Sequence, residues 1–236
     1  MTAAMPLGPS AEDRAAVAGV PLFSELSPAE LAAVIAEAEV RRYERGEVVF
    51  AQGDPADHLH VLLEGEVGLT GSLSGDHTVV EILEPGEIFI AAAVMTGRPA
   101  LMGAVALKAT RLMLLPAERL RRDLRANPGL SFAMLTSLAM HFRTLVHEVK
   151  DLKLRSAGQR LAFYLSHLAD ATSGRVVLRL PHNKGLIAAR IGVRPETLSR
   201  VIAQLKHQGV AIKGHSVTIA DIALLREYCH AGEDRM

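Results

Sequence analysis

The stretch Pro128–Leu154, PGLSFAMLTSLAMHFRTLVHEVKDLKL, decides the architecture of this chain of 236 residues. Its apolar residues recur at alternating intervals of three and four, which is the 3.5-residue repeat of a coiled-coil interface. This stripe consists of Leu135, Leu138, Phe142, Leu145, Val149 and Leu152. Asn127 is a good N-cap and Pro128 is tolerated in the first turn, so a helix of roughly 40 Å is predicted.

The stripe is narrow, because polar residues such as Arg143, His147 and Lys150 occupy the positions around it. A globular core helix usually carries a broader apolar face. The pattern therefore predicts that one side packs on its own chain and the other on a second copy, giving a homodimer. The alternative is a long core helix that packs only within its own subunit.

The composition sets the remaining limits. A chain with 49% hydrophobic and 22% charged residues is long enough for two domains with cores. The sequence contains no run of 18 apolar residues, so no membrane span is predicted. The N-terminus lacks the basic and apolar blocks of a secretory signal. The expected location is the cytoplasm, with no membrane partner. The single cysteine, Cys229, excludes an internal disulfide and a four-cysteine iron–sulfur cluster.

The net charge is zero, but the charges are unevenly distributed. From residue 156 onward, 11 Lys and Arg face 6 Asp and Glu, a balance of +5, which leaves −5 for residues 1–155. The C-terminal part is therefore the one suited to bind a polyanion.

The N-terminal half is predicted to form a β-roll, which follows a tail at residues 1–19. Over residues 20–127, a short helix precedes runs of β-branched and apolar residues that are separated by Gly and Pro turns about every ten residues. Such spacing predicts an antiparallel sandwich or jelly roll. The dimerisation helix then occupies residues 128–155.

Residues 156–236 read as a winged helix-turn-helix domain. Predicted helices at residues 184–191 and 195–208 are separated only by Ile191-Gly192-Val193-Arg194, a tight turn in which the glycine is free to take a positive φ. Two short strands around Lys213-Gly214-His215 follow, as in a wing. The whole chain is thus predicted to be α+β.

The second of these helices carries the predicted DNA-reading residues. Glu196, Ser199 and Arg200 stand at i, i+3 and i+4, so they cluster near the helix N-terminus, the end that a recognition helix offers to base edges. Thr197 lies among them. Five basic residues are candidates for phosphate contacts, namely Lys184, Arg190, Arg194, Lys206 and Lys213. The alternative for Glu196 is a surface ion pair with Arg200.

The order of a β-roll, a long helix and a wing-flanked helix-turn-helix resembles the Crp/Fnr superfamily of bacterial transcription regulators. The similar segment covers about residues 20–228, and Glu196-Thr197-Leu198-Ser199-Arg200 resembles the DNA-reading positions of the fumarate/nitrate branch. The resemblance implies a homodimeric activator that binds an inverted repeat of TTGA-like half-sites in double-stranded DNA and contacts RNA polymerase. Cyclic nucleotides are not expected as effectors, since Ala92, Leu101 and Met102 stand where the cyclic-nucleotide branch has Glu and an Arg-Ser pair.

The resemblance leaves the effector open. An apolar pocket between the roll and the long helix is similar to that of nitric-oxide-responsive denitrification regulators, for which haem is the implied cofactor. Its expected lining consists of Ile90, Val94, Met95, Leu101, Met102 and Met134. The alternative is that these residues are ordinary core, in which Met is a common filler.

Two alternative functions remain compatible with the sequence. His58 and His60 lie two apart on a predicted strand, and together with Glu64 they come within one residue of a cupin metal-binding motif, which would make the protein a metalloenzyme. No further histidine follows Pro85-Gly86, where cupins usually supply one, so we assign no metal ligand. The other reading is a DNA-binding protein whose N-terminal domain serves only as a dimerisation scaffold.

Overall fold

The structure is a computed structural model that describes residues 8–73 and 76–230. The chain divides between Arg143 and Thr144 into two compact units. The first unit contains two four-stranded antiparallel sheets, and the second contains a three-stranded sheet and several helices. The α+β fold predicted from the sequence is confirmed.

The first unit begins with two short helices and continues with the strands of the roll. Its helices are α1 (Ala11–Ala18), α2 (Pro28–Val34), α3 (Ala91–Thr96) and α4 (Ala117–Ala126). Its strands are β1 (Glu39–Tyr43), β2 (Val48–Phe50), β3 (His58–Glu64), β4 (Val67–Leu73), β5 (Asp76–Leu83), β6 (Ile88–Phe89), β7 (Gly103–Ala106) and β8 (Thr110–Pro116). Helix α5 (Pro128–Leu154) follows and runs through the division between the units.

The two sheets pack face to face in the orders β1-β8-β3-β6 and β2-β7-β4-β5. Strands β3 and β8 are buried on both faces. Leu62 and Leu112 point between the sheets, whereas Val61 and Met113 belong to a second core beneath the helices. This two-sided burial explains why both strands are nearly continuous apolar runs and do not alternate with polar residues.

The prediction of a tail over residues 1–19 is wrong where α1 stands, and residues 1–7 lie outside the described part. Ser10 caps α1 in a capping box with Asp13, and Val17 is fully buried in the core beneath the helices. Asp13 is only 4% exposed and forms an ion pair with Arg111 on β8. Helix α1 is therefore part of the roll.

The second unit forms around one core cluster. Its helices are α6 (Ala157–His167), α7 (Lys184–Arg190), α8 (Pro195–Leu205) and α9 (Ile222–His230), with a 3₁₀ turn at Lys206–Gln208. Its strands are β9 (Val176–Arg179), β10 (Val210–Lys213) and β11 (Ser216–Ile219), in the order β10-β11-β9. The core includes Leu161, Ile187, Leu198 and Val217. None of the helices within residues 8–73 and 76–230 has both the length and the hydropathy of a membrane span.

Candidate nucleic-acid interface

Helices α7 and α8 are joined by a turn in which Gly192 has a φ of 64°. The turn is held by backbone bonds, since the amide of Gly192 donates to Ala189 and that of Val193 donates to Ala188, each at 2.9 Å. A non-glycine residue with this φ would place its Cβ against the following carbonyl group. The glycine therefore sets the angle at which α8 leaves α7.

The burial pattern of α8 determines which side chains it presents. Leu198, Val201 and Leu205 are buried in the core of the second unit. On the other faces Glu196, Ser199 and Arg200 are exposed, and Thr197 is half-buried. Within the described part of the chain, Glu196 and Arg200 form no ion pair with each other. Both side chains are thus available to a partner outside the protein.

The basic residues predicted to hold phosphates are all exposed. They are Lys184, Arg190, Arg194, Lys206 and Lys213. None of them forms an ion pair with another residue that the structure describes. Five exposed cations on this unit are suited to contacts with a phosphate backbone.

The wing carries a further exposed basic residue, Arg179, which is not among the five predicted phosphate contacts. Lys213 on β10 pairs with Ser216 on β11, and Ser216 pairs with Arg179 on β9, so the three residues form one row across the sheet. All three are exposed. The sequence from residue 175 to residue 180 alternates as a strand, but the row depends on strand pairing, which the sequence alone did not supply.

Arg160 links the end of α5 to the helix-turn-helix. Its Nε donates to the carbonyl of Ile191 at 2.7 Å, and one terminal nitrogen donates to the carbonyl of Arg155 at 2.7 Å. Burial lowers the pKa of this guanidinium from its ordinary value. One side chain thus supports the turn and caps the preceding helix.

The two parts of the chain match known domain families. Residues 40–127 match the cyclic nucleotide-binding domain, and residues 159–228 match the Crp-like helix-turn-helix domain. The cyclic AMP receptor protein of Thermus thermophilus is 30% identical over 211 residues, which cover 89% of this chain and 96% of that protein. The chain belongs to the Crp/Fnr family of transcription regulators. It is therefore a regulator and not an enzyme, and its helix-turn-helix is a DNA-binding domain.

Other Crp/Fnr proteins support the assignment. The CRP-like cAMP-activated global transcriptional regulator of Mycobacterium tuberculosis is 26% identical over 206 residues, covering 85% of this chain and 92% of that protein. The structure of FixK2 from Bradyrhizobium japonicum is similar with a TM-score of 0.66 at 21% identity, over 81% of this chain and 96% of that chain. That last likeness supports the fold alone.

The apolar stripe on α5 is largely exposed in the single chain. Leu135, Phe142, Val149 and Leu152 are between 49% and 66% exposed, and Leu145 is 41% exposed. Leu138 is partly buried against the core beneath the helices of the first unit. Further exposed apolar residues on α5 are Phe132, Met140, Val146 and Leu154.

The predicted effector residues are divided between two cores and the surface in the described structure. Val94 and Met134 are buried members of the core beneath the helices, and Met102 packs against the core between the sheets. Leu101 is 84% exposed and Met95 is 38% exposed. Val94 and Met134 are therefore core residues, whereas Leu101 is a surface residue.

One predicted residue, Ile90, does line a cavity of about 220 Å³ inside the roll. The histidines of the metal-binding alternative, His58 and His60, line the same cavity. Glu64 is not with them, since it is exposed and paired with Arg111 at 3.1 Å. Among the described residues no cluster of three or more potential ligands could hold a metal ion. The metalloenzyme interpretation is wrong because the domains and relatives of this chain are those of transcription regulators.

Proposed function

We propose that this protein is a homodimeric, cytoplasmic regulator that binds an inverted repeat of TTGA-like half-sites. The observation that carries the proposal is the exposed cluster Glu196, Ser199 and Arg200 at the N-terminal end of α8, unpaired within the described structure. Arg can donate two bonds to guanine, Glu can accept from the cytosine amino group, and Ser can bond to either. A location in the cytoplasm follows from the proposed DNA partner.

The exposed stripe on α5 supports the dimer. These side chains are about half exposed, so burying the remainder of each stabilises association by roughly 0.7–1.5 kcal/mol, half the value for full burial. A two-fold dimer would present two α8 helices to half-sites about one helical turn, roughly 34 Å, apart. An activator of this type would contact RNA polymerase when bound beside a promoter.

The effector is proposed to act at the first unit, and two named groups fit poorly there. At the positions expected to hold a cyclic nucleotide, Ala92, Leu101 and Met102 provide no cation for the phosphate. For haem, the predicted residues are dispersed, and the cavity of about 220 Å³ is below the range of about 300–1,000 Å³ of ligand pockets. We therefore assign neither group to this chain.

The DNA-binding proposal is tested by comparing Arg200→Ala with Lys213→Ala. Loss of Arg200 should cost about 1–3 kcal/mol on the proper site and flatten the preference at one base pair, because a bidentate contact disappears. Loss of Lys213 should weaken binding to all DNA alike and lower the salt slope by about one. The measurement is titration of a TTGA-type inverted repeat and its single-base variants at several salt concentrations. Unchanged base preferences in Arg200→Ala would refute the assignment.

Cyclic nucleotides are tested separately by calorimetric titration with cyclic AMP and cyclic GMP. No saturable heat is expected, since Leu101 and Met102 cannot neutralise the phosphate. Micromolar binding of either nucleotide would show that the phosphate is held by other residues of the first unit.

A further inference from the structure

The cavity in the roll has a buried inner end and an exposed mouth. Tyr43, His60 and Leu114 form the inner end and are buried, while Phe50 and Ile90 are half-buried along its walls. The mouth carries Arg41, Asp54 and Asp57, all exposed. These residues come from β1, β2, β3, β8, the loop before β3 and the residue before α3, so the folded roll assembles the cavity.

His60 is the unusual group at the inner end. It is 6% exposed, its ring lies 4.9 Å from that of Phe89 in a stacked arrangement, and it lies 5.1 Å from the ring of Phe50. Its Nδ1 is buried and forms no hydrogen bond of normal geometry with any residue that the structure describes. Buried polar atoms in native proteins nearly always have a partner. The aromatic neighbours fix the ring at the inner end of the cavity, and a guest pairs with the buried Nδ1 only if the ring turns toward it.

The inner end of the cavity carries no charged group. Burial, reinforced by the nearby His58, lowers the pKa of His60 to about 3, so its ring is neutral at physiological pH. Burial and the charge of Arg41 also lower the pKa of His58. At the mouth, Arg41 is paired with Glu39 at 2.9 Å, and the carboxylate of Asp54 accepts from the amide of Ala51. An anionic guest would find no unpaired cation among the lining residues.

The volume and the walls limit the guest further. About 220 Å³ is small for a ligand pocket, which usually measures about 300–1,000 Å³. The side chains of Phe50, Ile90 and Leu114 provide flat and apolar surface. We propose that this cavity binds a small uncharged molecule with one flat apolar ring and one hydrogen-bonding group, which pairs with Nδ1 of His60.

A molecule bound in the cavity would contact Ile90, which connects the cavity to the rest of the first unit. Ile90 is the only described non-glycine residue with a positive φ, 56°, and it is the N-cap of α3. A β-branched residue in this region of φ is strained. A guest that displaces Ile90 would therefore relieve backbone strain at this residue. Val94 of α3 packs in the same core as Leu130 and Met134 of α5.

The experiment uses the full chain without DNA and three one-ring probes, phenol, benzoate and benzylamine. Ligand-detected NMR and calorimetry should show saturable phenol binding and at least tenfold weaker binding of the charged probes. His60→Phe keeps the aromatic packing but removes the ring nitrogens, and it should weaken phenol binding at least tenfold. The matched change at an exposed histidine, His167→Phe, should leave phenol binding unchanged.

A second variant covers the case in which His60→Phe does not fold. Val49 is half-buried and lines the cavity, so Val49→Phe should fill it and weaken phenol binding at least tenfold. The proposal is overturned if phenol does not bind, if benzoate or benzylamine binds as well as phenol, or if His167→Phe and the cavity variants bind alike. Because no DNA is present, each of these results leaves the proposed DNA recognition by Arg200 untouched.

Discussion

Gly192 and Leu152 approach so closely that a Cβ atom on Gly192 would lie 2.5 Å from Cδ2 of Leu152. The turn between α7 and α8 therefore packs directly on the last turns of α5 within the second unit. Gly192 is constrained twice, by this contact and by its φ of 64°.

Gly192→Ala should lower the free energy of unfolding of the second unit by about 2–3 kcal/mol. The left-handed conformation costs roughly 1–2 kcal/mol for a residue with a Cβ. Overpacking adds about 1 kcal/mol, the low end of its range, since Leu152 is half exposed and can rotate away. Gly214→Ala is the matched control, because Gly214 has a φ of 59° and open space around it. Urea unfolding should show the smaller loss for Gly214→Ala, and Leu152→Ala should partly rescue Gly192→Ala. Equal losses for the two single variants would contradict the contact.

Leu145→Glu should split the proposed dimer and weaken operator binding with it. A carboxylate at a position buried between two helices would lose its hydration without a partner, which is strongly unfavourable. Sedimentation at micromolar concentration measures the state of assembly. Val80→Glu places the same charge at an exposed apolar site on β5 and should remain dimeric. A dimer that persists in Leu145→Glu would move the interface away from this stripe.

Arg179→Ala should weaken binding to every DNA sequence by a similar factor. Arg179 lies in one row with Ser216 and Lys213. In the proposed complex its guanidinium would contact a phosphate, which carries no sequence information. Removing one phosphate contact should lower the slope of log K against log salt by about 0.9. Titrations at several salt concentrations give this slope. Arg122→Ala, at an exposed arginine of α4, should leave the slope as it is. A changed base preference in Arg179→Ala would mean that Arg179 reads bases.

His60→Phe should make the fold less sensitive to acid. The pKa of His60 is about 3 in the folded protein, whereas the ordinary value for a histidine, expected in the unfolded chain, is 6.5. Below pH 6.5 the unfolded chain therefore takes up a proton that the folded chain refuses, and stability is lost as the pH falls toward 3. The loss is about 1.4 kcal/mol for each pH unit.

Urea unfolding at about pH 7.5 and about pH 5.5 tests the sign, since the wild type should lose about 1.4 kcal/mol more than His60→Phe. His167→Phe should behave like the wild type, because His167 is exposed. Identical losses in the wild type and His60→Phe would show that the ring is protonated in the folded state.

The sequence predicted the parts of the fold in which one chain segment carries its own signal. The long helix has a repeat, and the helix-turn-helix has a glycine between two amphipathic segments, so both could be located from spacing alone. Strand β1 was not predicted, because Glu39, Arg41 and Arg42 hide its pattern. That strand lies at the edge of its sheet, and its pairing with β8 outweighs local propensity.

The candidate sites also differ in whether a single chain segment carries the signal for them. Exposure of Glu196, Ser199 and Arg200 followed from the apolar face of α8, which periodicity shows. The cavity could not be predicted, since Tyr43, His60, Ile90 and Leu114 come from distant parts of the chain and meet only in the folded roll. For the same reason Val94 and Met134 were expected in a pocket but lie in a core, because apolar residues have the same pattern in both.

The docking of α1 has a consequence for synthesis on the ribosome. Asp13 and Arg111 are separated by 98 residues, and at about 5–20 residues per second the partner strand emerges roughly 5–20 s after the helix. During this interval the apolar Val17, Val20 and Phe23, buried in the finished protein, have no core to join. The growing chain therefore keeps these apolar side chains exposed until β8 has been synthesised.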